Sequence, residues 1–400
     1  MHLSKKHVLI ACVSVAVVAC GVIAGTYYRD NVVSKSQEAE QRSAREPTVE
    51  PQKSTVRLLA TGDMIAHDSI NQNAKQGDKY DYAALMSDMK PYFQKGDINF
   101  CNQATPAGGS SFGISGYPIF NAPLAFPRGI EEVGCNLINI GTNHTYDKGK
   151  DLVDATVKAW DDRDVLAVAG ANRNQSEQNQ PRIFEVNGMT FAFVSYTNYT
   201  NEPIANDYSV NQYSKALAEQ QINTVRDEAD LVIASMRWGT EYADRINDTQ
   251  EKIARDLANF GADVVLGHGT HVLQPVKKLT SNDGREVYVW YGLGNFLNSQ
   301  LEAEALIGGF ASMDIDIETA SITEVGFLPV YQHYEWTPAQ KAAGNLLART
   351  NFRMVPLDEA GDLLAKPNAH LDTNVKAQTD RVRQILNRHT DIPILKSGDF

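Results

Sequence analysis

From Val56 onward the sequence repeats one unit: a short apolar run that ends in a polar cluster, followed by an amphipathic stretch. The runs at 56–61, 97–102, 135–141, 164–168, 190–196, 230–236, 262–266 and 286–293 have the length and composition of strands. Between several of them apolar residues recur at helical spacing. In 149–161, Leu152, Val153, Thr156, Val157 and Trp160 share one face; in 250–260, Ile253, Leu257 and Phe260 do the same, and Gly261 ends the helix. Strand, helix, strand in succession predicts an α/β fold with a largely parallel sheet covered on both faces. Residues 307–330 read as two or three more strands with no helix between them. No repeat of roughly 20 to 50 residues is visible, which argues against a solenoid.

In a parallel sheet, ligands bind beyond the C-terminal ends of the strands. The segments there are Thr61 to Ser69, Asn102 to Pro106, Gly141 to Gly149, Arg237 to Tyr242 and Gly267 to His271. Asp, Asn and His side chains thus converge on one rim. Such oxygen and nitrogen donors suit Zn, Mn or Fe held for hydrolysis of a phosphoester or related bond. Each residue alone has a plainer reading. Asp63 would cap a turn or helix, and His144 and His271 would be satisfied core histidines. Five polar strand ends on one edge favour a site.

Residues 8–28 form an uncharged apolar run that would span about 31 Å as a helix, close to one bilayer core. Lys5 and Lys6 precede it, and Tyr27 and Tyr28 close it at the interface position. This pattern predicts a cytoplasmic N-terminus at 1–6, a single transmembrane anchor at 7–28 and an extracytoplasmic body at the cell membrane. A cleaved signal peptide is the rival reading, and a lipoprotein site at Cys20 ranks below it. Residues 29–54 are polar, charged and contain two prolines, as suits a flexible linker.

Lys plus Arg is 37 and Asp plus Glu is 49, a formal charge of −12. That balance argues against nucleic acid as a partner, since phosphate backbones call for a basic face. Of four cysteines only Cys101 and Cys135 fall in the body. Two buried thiols are the default expectation there, with a single bridge as the alternative. Residues 334–400 are richer in Ala, Asn, Gln and Lys, and Val375, Val382, Ile385 and Leu386 fall at helical spacing. A small helical C-terminal appendage is expected after a main domain at 55–333.

At the strand ends the chain resembles the CapA/PgsA proteins of capsule and poly-γ-glutamate synthesis, whose domain is similar to calcineurin-like metallophosphoesterases. The resemblance runs from about Leu58 to about Val330. It rests on Gly62-Asp63 with His67-Asp68-Ser69, Ser115-Gly116-Tyr117-Pro118, and Phe120-Asn121-Ala122-Pro123. It continues with Thr142-Asn143-His144 with Asp147, Trp238-Gly239 with Glu241-Tyr242, His271-Val272-Leu273-Gln274-Pro275 and Leu293-Gly294-Asn295-Phe296. It implies a four-layer α/β sandwich with a metal site at one sheet edge. It also implies a role in synthesis of an anionic cell-surface polymer or its precursor, alongside membrane subunits of a polymer synthase.

Three positions depart from the family pattern. Ala104 stands where Asn-x-Glu has its carboxylate, Arg237 where His-Trp-Gly has its histidine, and Gly269 where His-Pro-His has its first histidine. A guanidinium does not act as an ordinary metal ligand. The expected metal donors are therefore Asp63, His67, Asn143 and His271, for at most one divalent Zn, Mn or Fe ion. His144 and Asp147 are the candidate catalytic pair. Arg237, Asn121 and Glu241 are the candidate substrate-binding residues. A single-metal hydrolase of phosphoester or amide bonds and a non-catalytic polymer-binding or scaffold subunit are the two competing expectations.

Overall fold

A computed structural model describes residues 53–400. The segments expected to be a cytoplasmic N-terminus and a membrane anchor, and all but the end of the expected linker, lie outside the described residues. Among the described residues no helix is long and apolar enough to cross a membrane.

The strands, in chain order, are β1 (Thr55–Met64), β2 (Lys75–Gln76), β3 (Lys79–Tyr80), β4 (Ile98–Gln103), β5 (Leu137–Asn139), β6 (Ala167–Ala169), β7 (Ile183–Val186) and β8 (Met189–Thr197). They continue with β9 (Leu231–Arg237), β10 (Val264–His268), β11 (Leu273–Thr280), β12 (Glu286–Leu293), β13 (Asn295–Leu297), β14 (Ile307–Asp316), β15 (Ile322–Glu335) and β16 (Thr350–Pro356). Each of the eight apolar runs holds a strand, but they divide equally between two sheets. The first sheet has the order β16-β15-β14-β1-β4-β5-β6, with β13 also paired to β1; the second has the order β11-β12-β10-β9-β8-β7. Each sheet is parallel at its centre and antiparallel toward an edge or both edges. The single largely parallel sheet read from the strand–helix pattern is thus replaced by two mixed ones, as a four-layer sandwich of the kind the resemblance implies requires.

Burial explains why the strands form as they do. Along β8, Phe191 and Phe193 enter the core between the sheets with Phe100, Ile233 and Leu266. The alternate residues Ala192, Val194 and Tyr196 face a second core built with the helices Lys215–Arg226 and Asp248–Phe260. Both faces of the strand are buried, so its sequence is a continuous apolar run with no alternation. Asn247 and Gln250 form a reciprocal cap at the start of the second helix, and Gly261 with φ 126° ends it. On the far side the helix Ala125–Val133 buries Phe126, Ile130 and Val133 against the first sheet. The layers therefore run helices, sheet, sheet, helices.

The C-terminal segment differs from expectation. The helix Val375–Leu386 is present, but the boundary expected at residue 333 falls inside β15. Strand β16 extends the first sheet as its edge. Phe327 bonds Pro393 and Leu395 through its backbone. Trp336, Phe352, Leu357, Leu364, Val382 and Leu386 all join the main core, and residues 54–400 form one compact unit. Val382 and Leu386 are marked by their helical spacing, but Trp336, Phe352, Leu357 and Leu364 lie in stretches too short or too mixed to read as part of the main core. The cysteines are also corrected. Cys101 and Cys135 form a disulfide with a Cα–Cα distance of 5.8 Å, because pairing of β4 with β5 brings the two segments side by side.

Candidate functional site

The C-terminal ends of β1, β4 and β9 and the loops after β5 and β10 open onto one cavity of about 710 Å³. Asp63, His67, Asn143, His144, Asp147, Arg237, Glu241 and His271 all line it. Asn121 does not. Its buried amide accepts from the Gly108 N–H and donates to the carbonyls of Gly109 and Gly113, so it holds the loop behind the wall. The expected substrate contact at Asn121 is replaced by this structural role.

Asp63 sits at the floor, fully buried. Its Oδ1 accepts from Asn102 Nδ2 at 2.6 Å and from the Gly269 N–H at 3.2 Å. Its Oδ2 lies 2.8 Å from His271 Nδ1. Burial alone would raise the Asp63 pKa, but His271, His268 and Asn102 together hold it below its ordinary value. Burial likewise opposes a charge on His271, yet Asp63 and Glu241 outweigh it and raise its pKa. The two form a buried, electrostatically coupled pair, and His271 Nδ1 also lies 3.1 Å from Asn295 Oδ1. His271 has φ 62°, a left-handed backbone that a residue with a Cβ adopts only under constraint.

Arg237 ends β9 with its side chain 1% exposed. Its guanidinium stacks on Tyr199 at 4.3 Å, and Nη2 donates to Glu241 Oε1 at 2.9 Å. The Nε and Nη1 donors are buried without a partner. On the opposite wall Asp147 Oδ2 lies 2.8 Å from His144 Nδ1 and accepts from the Phe120 N–H at 2.7 Å. That arrangement fixes the imidazole through Nδ1, where Asn201 Nδ2 also lies at 3.1 Å, and the same amide is 3.5 Å from Nε2, the nitrogen turned from Asp147.

The residues present do not fit a metal ion. Among the described residues no group of three or more His, Cys, Asp or Glu side chains is arranged to hold one. His67 is neutral, its pKa lowered to about 3 by burial and by the Arg349 charge. Its Nδ1 accepts from the Ser299 N–H at 3.2 Å, which places the proton on Nε2 and removes that lone pair. Asn143 donates to Asn201 at 3.3 Å. His268 turns away from the cavity, to Asn102 at 2.9 Å and Ser235 at 2.8 Å. Burial lowers its pKa to about 4, so it is a neutral member of a buried amide network. The Arg237 guanidinium lines the same cavity, and its charge opposes that of a cation there.

The sequence reading missed Arg349, Asn201 and Glu202, which also line the cavity. Arg349 comes from the C-terminal segment. Its Nε donates to Leu346 O at 2.7 Å and its Nη1 to the Ser299 carbonyl. Its guanidinium lies over Tyr334 at 5.6 Å and Trp336 at 5.8 Å. No local motif marks these residues; only the return of the tail past β15 brings Arg349 to the site.

Comparisons agree with this picture at the level of family. Residues 57–300 match the family model described as bacterial capsule synthesis protein PGA_cap. The chain is 28% identical over 179 residues to the PGA biosynthesis protein CapA of Bacillus subtilis (strain 168), covering 43% of this chain and 44% of that one. It is 30% identical over 185 residues to the capsule biosynthesis protein CapA of Bacillus anthracis, covering 43% of this chain and 42% of that one. The match thus spans less than half the length of these relatives. Among solved structures, a phosphatase from Mycoplasma pneumoniae aligns over 73% of this chain and 99% of its own, at 13% identity and a TM-score of 0.47. With the family model matching more than half of its length, the chain belongs to the PGA_cap family of bacterial capsule synthesis proteins.

Proposed function

We propose that this chain is a membrane-anchored, extracytoplasmic protein that serves synthesis of a capsule or poly-γ-glutamate-type polymer. It does so by holding one anionic group of that polymer or its precursor in the strand-end cavity, without a metal ion. One observation carries this reading: Nε and Nη1 of Arg237 are buried in the cavity wall with no acceptor. A buried donor left unpaired costs about 1–3 kcal/mol, and more when it is charged, which a phosphate or carboxylate oxygen would offset. Arg349 adds positive charge to the same cavity. The extracytoplasmic placement is supported by the Cys101–Cys135 bridge, which suits an oxidising compartment. It is supported too by Lys5 and Lys6 ahead of an uncharged apolar run. Membrane subunits of a polymer synthase are the partners that placement implies.

Calorimetric titration of the full chain with inorganic phosphate and with a γ-glutamyl oligomer tests this reading. Binding of at least one of them should weaken at least about tenfold in Arg237→Ala, the loss of one charge-assisted contact, and should survive EDTA. Equal binding by the variant, or loss of binding on chelation, defeats it.

A second reading, hydrolysis in the same cavity, is favoured by the His144–Asp147 pair, in which Asp147 orients a histidine able to take or give a proton at Nε2. Turnover of a phosphoester or amide probe that is lost in His144→Gln would support it.

A further inference from the structure

The mouth of the cavity has a character unlike its floor. Eight large apolar side chains are exposed among the described residues. Six of them line this one cavity: Tyr117, Ile119, Tyr199, Tyr242, Leu301 and Leu346. Scattered exposed apolar residues are ordinary, but their concentration at one opening marks a binding surface. The exposed carboxylates at the cavity are Glu202, Glu241 and Glu302. The buried cations, Arg237 and Arg349, lie below them, 1% and 5% exposed.

This ordering selects among ligands. A hydrophilic polyanion lying across the mouth would meet three carboxylates and gain nothing from six apolar groups. A free inorganic anion would use the floor and leave the mouth uncovered. A molecule with one anionic head and a hydrocarbon chain uses both: the head accepts from Arg237 on the floor, and the chain covers the apolar rim. The donors left open on Arg237 are Nε and Nη1, Nη2 being held by Glu241. Their N–H bonds point apart, so one anionic head accepts from one of them at a time. A phosphate offers three acceptor oxygens, more than a carboxylate, which suits a cavity lined by two separate guanidinium groups, Arg237 and Arg349.

We infer that the cavity takes a membrane-carried lipid phosphate, with the phosphate at Arg237 and the start of the hydrocarbon chain across Tyr117, Ile119, Leu301 and Leu346. This rests on the anion-binding reading above and names the ligand class. The unpaired donors of Arg237 and the apolar rim carry it, and the apolar run at 8–28 gives an independent reason for the body to work beside a bilayer.

The test uses the full chain in phosphatidylcholine nanodiscs, titrated with ethyl, hexyl and octyl phosphate and referenced to empty nanodiscs. Each methylene fully withdrawn from water raises affinity about fourfold, so half-coverage of the six extra methylenes of octyl phosphate predicts about sixtyfold tighter binding than ethyl phosphate. The double variant Ile119→Ser with Leu301→Ser, both at exposed positions, should abolish the chain-length dependence, and Arg237→Gln should weaken binding at every length. Arg237-dependent binding of ethyl phosphate with no gain at longer chains overturns the lipid inference and leaves the anion-binding reading standing. Tighter binding of a γ-glutamyl oligomer than of octyl phosphate overturns the lipid inference as well. Absence of binding by any phosphate or oligomer overturns both.

Discussion

The side chain of Arg237 fills the space that a side chain at residue 269 would need: a Cβ placed on Gly269 falls 2.7 Å from Arg237 Nε and 2.8 Å from its Cγ. Gly269 also has φ 86°, a region that favours glycine. The residues at 237 and 269, two of the three departures from the pattern of the resembling family, are therefore in direct contact, and a side chain at 269 would crowd Arg237 where it now lies.

Gly269→Ala should destabilise the protein by roughly 1–3 kcal/mol through crowding and backbone strain. In an Arg237→Ala background the crowding part of that cost should disappear. Urea unfolding of both single variants and the double variant gives the coupling, expected at about 0.5–3 kcal/mol. Strict additivity would show that the contact is absent.

Metal removal should change nothing. Full-length protein dialysed against EDTA is expected to keep its melting temperature, and added Zn, Mn or Fe should not raise it. A site holding an ion at a hundred times its Kd would add about 2.7 kcal/mol, well within reach of calorimetry.

Acid should weaken the fold through His268. Its ordinary pKa of 6.5 falls to about 4 in the folded chain. Between those values the unfolded chain binds more protons, so stability rises with pH there. His268 thus contributes stability that is fully present above pH 6.5 and is lost as pH falls toward 4. In His268→Gln the pH dependence of unfolding across that window should become shallower than in the unaltered protein; an unchanged profile would remove His268 as its source.

A chain ending at residue 333 should not fold cooperatively. It lacks β16, the helix Val375–Leu386 and the core residues Trp336, Phe352, Leu357 and Leu364. Leu386→Ala in the full chain should cost about 2–5 kcal/mol, as for other buried leucines. A soluble, cooperatively unfolding chain ending at residue 333 would show that the C-terminal segment is dispensable.

Cys101 and Cys135 should resist alkylation in unreduced, denatured protein and react after dithiothreitol. Opening a loop with a sequence separation of 34 should lower stability by roughly 3–4 kcal/mol on a chain-entropy account. Full reactivity before reduction would refute the bridge.

The strand-end rule made most of the cavity legible in the sequence. Asp63, His67, Asn143, His144, Asp147, Arg237, Glu241 and His271 are polar residues just past apolar runs, and all eight meet. The division into two sheets was legible through the family resemblance and not through the apolar runs, because β8 and β1 are buried on both faces whether the strands share one sheet or two. Asn121 looked like a rim residue because loop asparagines there read alike until their hydrogen bonds are traced. Arg349 was illegible for a different reason: its guanidinium is buried by Tyr334 and Trp336, which come beside it only when β16 pairs with β15.

The origin of Arg349 bears on how specificity passes between relatives. The family match ends at residue 300, while Arg349, Leu301 and Leu346 lie beyond it. One wall of the cavity therefore comes from outside the segment that matches the family model. Two chains could be identical from 57 to 300 and still differ at this wall, because residues beyond 300 supply a cation and part of the apolar lip.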